Sequence, residues 1–181
     1  ALVISSAFAK LSSFQYGSCT EPPVIWLSNT NLLYWNAISN VVNSKATSGV
    51  VHDIVLGFQE SDEILLNDTY PVRDFISAED VISCLIKMVK ENHSGIYNVG
   101  SGTGTEIYAL AEKVAKIMGI DNPKILSRQS ESKKKSKIVL DISNTIRDFV
   151  WSPSENLSVC LRNLIENKLW AKELLLFLLG I

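Results

Sequence analysis

The sequence predicts a mixed α/β fold, and three observations carry that reading. Short apolar runs such as Ile96–Val99 stand between segments whose apolar residues recur at helical period. Around Gly95–Gly104 the order is helix, strand, glycine-rich turn and helix, the alternation expected of α/β rather than all-helical proteins. The 181 residues are 46% hydrophobic and 20% charged, an ordinary composition for a folded chain with a core to bury. The length fits one domain or one lobe of something larger.

The elements follow in order. Residues 1–10 read as the end of an amphipathic helix, and residues 11–30, punctuated by Gly17, Pro22 and Pro23, as strand, turn and loop. Leu33, Ala37, Ile38 and Val41 predict a helix over Leu32–Val42, capped by Asn29 or Thr30. Short strands are expected over Val51–Leu56 and Glu63–Leu66. Pro71–Ile76 is extended and leads into Ser77-Ala78-Glu79-Asp80, a helix start of the capping-box kind. Val81, Ile82, Leu85, Met88 and Val89 give that helix its buried stripe, and Gly95 ends it. Ile96–Val99 is a strand, and Gly100-Ser101-Gly102-Thr103-Gly104 is the turn after it. Thr105 caps a helix with Ile107, Leu110, Ala111, Val114 and Met118 inward and Gly119 at its close. Residues 127–137 form a polar, basic loop before a strand at Ile138–Leu140. Ser143 caps a short helix over Asn144–Val150, and Pro153 precedes a last helix carrying Leu157, Leu161, Leu164 and Ile165.

Charge and cysteine usage exclude several classes. With 17 Lys and Arg against 19 Asp and Glu, the formal charge is −2, so no concentrated basic face is available and nucleic acid is not an expected partner. Plentiful aliphatic residues and small net charge exclude intrinsic disorder. Cys19, Cys84 and Cys160 are odd in number and widely spaced, without CxxC, which fits a reducing, cytoplasmic setting rather than a disulfide framework or zinc site. His52 and His93 lack a ligand-spaced partner, so no metal is expected. The N-terminus has neither initiator Met nor a basic region before its apolar run, and reads as a chain that begins mid-protein rather than as a signal peptide. Leu174–Ile181 is apolar but far shorter than the roughly 20 residues that span a bilayer. It packs on the chain's own core or forms a partner interface, for instance a homodimer.

Few motifs carry chemistry. Gly100–Gly104 is GxGxG, one residue short of the GxGxxG dinucleotide fingerprint, and reads as a strand-to-helix turn. No Walker lysine and no GxSxG elbow occur. Cys84 lies on an apolar helix side and is read as core. Asp53, Glu60, Asp62 and Glu63 are read as solvated surface, and His93 as a helix-end residue favoured by the dipole. Arg73 has two readings. It is a surface partner of Asp74, or a bidentate ligand for phosphate, which the planar guanidinium fork suits. The lysines of 133–137 are a solvated loop or a weaker phosphate contact.

Three segments in order carry a resemblance. Arg73-Asp74-Phe75-Ile76-Ser77-Ala78-Glu79-Asp80-Val81 resembles the R-D-F-(I/V)-x-x-x-D-V segment of the extended short-chain dehydrogenases/reductases, the NAD-dependent epimerase/dehydratase family acting on nucleotide sugars. Gly95–Gly102 is similar to that family's G-x-x-Y-N-V-G-S-G, and Asp141–Pro153 to its D-I-S-K-A-x-x-x-L-G-W-x-P. Ser13–Gly17 faintly resembles its N-x-Y-G-P turn, with Phe14 in place of a substrate-binding Asn and Ser18 in place of Pro. Phe149-Val150 stands where the family has Leu-Gly, and residues 1–10 run almost directly into the turn at Tyr16, where the family has room for another strand. The family's GxxGxxG is missing, and Tyr16, Tyr34, Tyr70, Tyr97 and Tyr108 all lack the Lys four residues on that its Tyr-x-x-x-Lys pair requires.

The resemblance implies the C-terminal part of a Rossmann-like fold with the small substrate-binding lobe. It divides the chain into a partial Rossmann-side segment and loops (1–70), a nucleotide-sugar side (71–166) and a C-terminal apolar helix (167–181). It implies NAD(P) as the family's cofactor, held by no residue visible in this chain, and a nucleoside-diphosphate sugar as ligand. Arg73 becomes the diphosphate clamp, with its guanidinium facing the crevice beside Gly100–Gly104. Arg128, Lys135 and Lys137 are the other substrate-side cations. No catalytic residue is assigned. The alternative is a non-catalytic module derived from the family that binds a nucleotide sugar or a protein.

Overall fold

Ser77 marks the point where an extended strand turns into a helix. Its Oγ accepts from the Asp80 amide at 2.9 Å, which satisfies one of the orphan N–H groups of the first turn. The computed structural model describes residues 33–38, 40–42, 48–91, 93, 95–129 and 136–167; the readings made for residues 1–30, and for the tail beyond 167, lie outside them. In chain order the elements are β1 (Leu33–Ile38), β2 (Asn40–Val42), α1 (Val50–Glu60), β3 (Glu63–Leu66), β4 (Val72–Ser77) and α2 (Ala78–Lys90). They continue with β5 (Gly95–Val99), β6 (Gly104–Glu106), α3 (Ile107–Ile117), β7 (Lys124–Ser127), β8 (Lys137–Ile138) and α4 (Ser143–Phe149), then the helical stretch α5 (157–167).

Strand β1 pairs with β5, β2 and β8 pair with β4, and β3 pairs with β7, all in parallel, while β6 runs antiparallel to β4. Parallel neighbours need long crossovers, and helices supply several of them, so the class is α/β as the pattern predicts.

Two predicted elements change identity. Where a helix is expected over Leu32–Val42, Leu33–Ile38 forms β1 and Asn40–Val42 forms β2, because the backbones of β5 and β4 offer parallel ladders to residues with good strand propensity, among them Tyr34, Trp35, Val41 and Val42. Val51–Leu56 lies inside helix α1 instead of a strand: Ile54, Val55 and Phe58 fall on one stripe and are all buried, and that stripe outweighs the β-branched content.

Helix boundaries are corrected as well. Helix α2 ends at Lys90, and Gly95 opens β5. Its buried residues are Asp80, Val81, Cys84 and Met88, whereas Val89 is 55% exposed. Thr105 sits in β6 and caps nothing; the first amides of α3 donate to backbone carbonyls, Ile107 N to Pro71 O at 3.0 Å and Tyr108 N to Thr69 O at 2.9 Å. Ser143 is the first helical residue of α4, and its N and Oγ both donate to Asp141 Oδ1. Gly119, at φ +78°, closes α3 as expected.

Consecutive residues of β4 face opposite ways and divide the core. Phe75 packs into a cluster with Ile54, Phe58, Leu110, Val114, Leu161 and Leu164, joining α1, α3 and α5. Ile76 packs into a second with Val81, Met88, Tyr97, Phe149 and Trp151, joining α2, β5 and α4. Each fully buried aliphatic side chain in these clusters contributes about 1.5–3 kcal/mol.

Candidate substrate-side site

The alternation that separates Phe75 from Ile76 also separates Arg73 from Asp74. Asp74 is 1% exposed and belongs to the face of the glycine-rich turn. Its Oδ1 accepts from Ser101 N at 2.8 Å and Ser101 Oγ at 2.6 Å, and its Oδ2 from Gly102 N at 3.0 Å and Leu140 N at 3.3 Å. A buried carboxylate with four donors is satisfied in the way burial demands.

That arrangement explains the glycines. Gly102 sits at φ +69°, in the left-handed region open to glycine. A Cβ on Gly100 would lie 2.8 Å from Asp74 Oδ2, and one on Gly104 would lie 2.7 Å from Val72 Cγ1. The turn is therefore shaped to receive the chain's own carboxylate. Its Ser101 and Gly102 amides, the donors a phosphate would need, are already taken.

Arg73 leaves β4 from the opposite face, the Phe75 side. Its Nη1 donates to Val72 O at 2.9 Å and to Ser136 O at 3.0 Å. Among the described residues, Nε and Nη2 of Arg73 make no hydrogen bond. Lys137 is close in the ladder, paired in register with Val72 while Ile138 is paired with Arg73, so the Lys137 side chain leaves from the face opposite Arg73. Arg128 is exposed just beyond β7, in a different sheet from β4, where its N–H donates to Leu66 O at 2.9 Å. Lys135 lies outside the described residues.

The remaining motif residues bind the fold together. Asp80 interacts with Ser77 at the helix start and also ties it to the segment after α4. Its Oδ1 accepts from Ser154 N and Oγ at 2.9 and 2.8 Å, and its Oδ2 from Glu155 N at 3.0 Å. Burial pushes its carboxyl up, but the donors of Ser154, Glu155 and Ser77 outweigh burial and hold it below the ordinary 3.8. Tyr97 Oη donates to Asp148 Oδ2 at 3.0 Å, and burial followed by that bond raises its phenol. Trp151 Nε1 donates to Ser83 Oγ at 2.8 Å.

Burial pushes the thiols of both Cys84 and Cys160 up to about 12, which leaves no thiolate for nucleophilic chemistry near neutral pH and agrees with Cys84 as core. Among the described residues, no three His, Cys, Asp or Glu side chains gather to hold a metal ion, and no helix is long and apolar enough to cross a membrane. Sequence reasoning missed Asp74 and Ser101 as an anchoring pair. The one available signal was a strand aspartate flanked by Arg73 and Phe75.

Residues 26–100 match the model of the NAD dependent epimerase/dehydratase family. No curated protein sequence matches the chain. Among solved structures, the chain is similar to the UDP-glucose 4-epimerase of Thermotoga maritima with UDP-glucose, at 23% identity and TM-score 0.61, covering 78% of this chain and 46% of that one. It is similar to the dTDP-glucose 4,6-dehydratase of Bacillus anthracis in complex with NAD, at 16% identity and TM-score 0.66, covering 75% and 44%. It is also similar to the ADP-L-glycero-D-manno-heptose-6-epimerase of Helicobacter pylori, at 23% identity and TM-score 0.62, covering 74% and 42%. These likenesses establish the Rossmann-like epimerase/dehydratase fold. The chain spans less than half the length of those proteins.

Proposed function

We propose that this chain supplies the nucleotide-sugar side of an NAD-dependent epimerase or dehydratase, with residues 71–166 as its substrate-facing part. The observation that carries the reading is Arg73, in the R-D-F segment of a family-matched stretch, with Nη1 tied to two carbonyls and, among the described residues, no hydrogen bond on the Nε/Nη2 edge, the geometry that suits a bidentate anion. A diphosphate is the anion that suits such a fork. Solved structures of similar fold carry UDP-glucose, or are named for dTDP-glucose and ADP-heptose chemistry, which supports a nucleoside-diphosphate sugar as the ligand class. Arg128 and Lys137, which do not share the face of Arg73, and Lys135 are proposed only as weaker cations for the same ligand. Polysaccharide precursor synthesis in the cytoplasm is the setting such a protein fits, working as an isomerase, lyase or oxidoreductase, and as a homodimer if the apolar tail is an interface.

The family's cofactor does not fit the residues described. The glycine-rich turn has its Ser101 and Gly102 amides on Asp74, and GxxGxxG and Tyr-x-x-x-Lys do not occur in the 181 residues. These 181 residues therefore supply neither the glycine fingerprint nor the Tyr–Lys pair that a redox step of this kind uses. The same observation favours a second reading, a non-catalytic module that holds a nucleotide sugar or a protein.

Calorimetric titration of UDP, ADP and dTDP into the protein tests the first claim, and saturable binding of one of them is expected. No binding of any of the three would overturn the nucleotide-sugar reading. Stoichiometric NAD binding with turnover of a nucleotide sugar by these 181 residues would overturn the view that they are incomplete for catalysis.

A further inference from the structure

We infer that Asp74 is a positioning residue for the nucleotide-sugar side: its buried carboxylate holds the 136–140 segment against β4 and so aims the Arg73 guanidinium. The inference rests on the reading of Arg73 as a diphosphate clamp. Ser136 O is the shared acceptor, taking Val72 N at 2.8 Å and Arg73 Nη1 at 3.0 Å. Ser136 immediately precedes β8, a strand of two residues, too short to hold its own register. The anchor at its far end is Leu140, whose amide donates to Asp74 Oδ2 at 3.3 Å. Asp74 is itself fixed by Ser101 N, Ser101 Oγ and Gly102 N. One carboxylate thus ties the turn after β5, the segment after β8 and strand β4 together. It does so from the face of β4 opposite Arg73, so it orders the guanidinium without occupying the edge that a diphosphate would take. A long side chain pre-set by its surroundings loses less freedom on binding, the general origin of preorganised affinity.

An Asp74→Asn change places an amide donor where Gly102 N and Leu140 N point, and releases the segment. Ser101→Ala removes only the 2.6 Å hydroxyl bond and gives a milder variant that keeps the carboxylate. Thr145→Val is the control. It deletes another buried hydroxyl, bonded to Asn98 O at 2.7 Å and not connected to Arg73.

The test is calorimetric titration of UDP, ADP and dTDP into the protein and its variants, each checked for a cooperative thermal melt. Asp74→Asn is expected to weaken nucleotide binding by about tenfold or more, the effect of losing a charged hydrogen bond. Ser101→Ala weakens it less, and Thr145→Val leaves it unchanged. If Asp74 acts through Arg73, then in an Arg73→Ala background Asp74→Asn adds no more than about twofold, the margin within which independent effects are resolved. A purely structural aspartate would give losses that multiply. Unchanged affinity in Asp74→Asn, or fully multiplying losses, would overturn the role of Asp74 while Arg73 stands. If Asp74→Asn does not fold, unchanged affinity in Ser101→Ala overturns it. Absence of nucleotide binding by the unaltered protein would instead overturn the clamp reading itself.

Discussion

Arg73 Nη1 and the Ser136 carbonyl lie 3.0 Å apart, and this bond joins strand β4 to the start of β8 across 63 positions of sequence. It leaves Arg73 half-buried and its guanidinium oriented, with no other hydrogen bond on its Nε/Nη2 edge among the described residues. Replacement of Arg73 by Ala is expected to weaken nucleoside-diphosphate binding by about 1.5–3 kcal/mol, the range for hydrogen bonds to charged groups. Folding should change by only about 0–1 kcal/mol, as for exposed polar pairs. Lysine should rescue poorly, because a point charge does not reproduce the fork. Titration and thermal melts of the three proteins check this, and a large melting-temperature drop at unchanged affinity would make Arg73 purely structural.

Val150 closes helix α4 at φ 45° and ψ 45°, where a β-branched residue is strained, and its side chain is 81% exposed. The related family pattern has Gly at this point. Left-handed backbone costs a non-glycine residue about 1–2 kcal/mol. Glycine removes that cost and loses about 0.5–1 kcal/mol to unfolded-state entropy. Val150→Gly is therefore expected to stabilise the protein slightly, with a melting temperature higher by about 2–4 °C per kcal/mol gained. A lower melting temperature would refute the strain.

Asp80 couples the start of α2 to Ser154 and Glu155, 74 and 75 positions away. Its folded carboxyl is held below 3.8, so its contribution is complete above the unfolded value and is lost as pH falls through the folded one. Urea melts between pH 7 and pH 2.5 should show stability falling below about pH 4, in line with the reference carboxylate value. Asp80→Asn should lose about 1–3 kcal/mol at pH 7, the cost of unsatisfied buried donors. It should also flatten the acid limb, and an unchanged limb would remove Asp80 from the linkage.

Cys84 and Cys160 have thiols raised to about 12 by burial. Alkylation of the native protein at pH 8 should leave both unmodified, and unfolding in denaturant should expose both. Peptide mapping reads the result, and rapid native labelling of Cys84 would contradict its place in the core.

Some of this was legible residue by residue. The segment from Ser77 through α2, β5 and α3 could be read because its signals are local: a hydroxyl cap, apolar residues at period 3.6, and Gly119 at a positive φ. The three-segment resemblance likewise pointed to the epimerase/dehydratase family before any geometry, and the match over residues 26–100 agrees with it. Tertiary structure decided the rest. Leu33–Ile38 and Asn40–Val42 pair with β5 and β4 because those strands offer unsatisfied ladders, a partnership absent from their own apolar spacing. Val50–Glu60 is helical because Ile54, Val55 and Phe58 must share one face of the core, which outranks the strand preference of its valines. At the site, a fork-shaped cation at Arg73 was visible as chemistry, but its direction was not. That direction follows from Asp74, which lies one residue on and therefore on the other face of β4. Its carboxylate closes on Ser101, Gly102 and Leu140, 27 to 66 positions away. Which donors a buried carboxylate finds is set by how the chain packs, and spacing along the sequence carries no record of it.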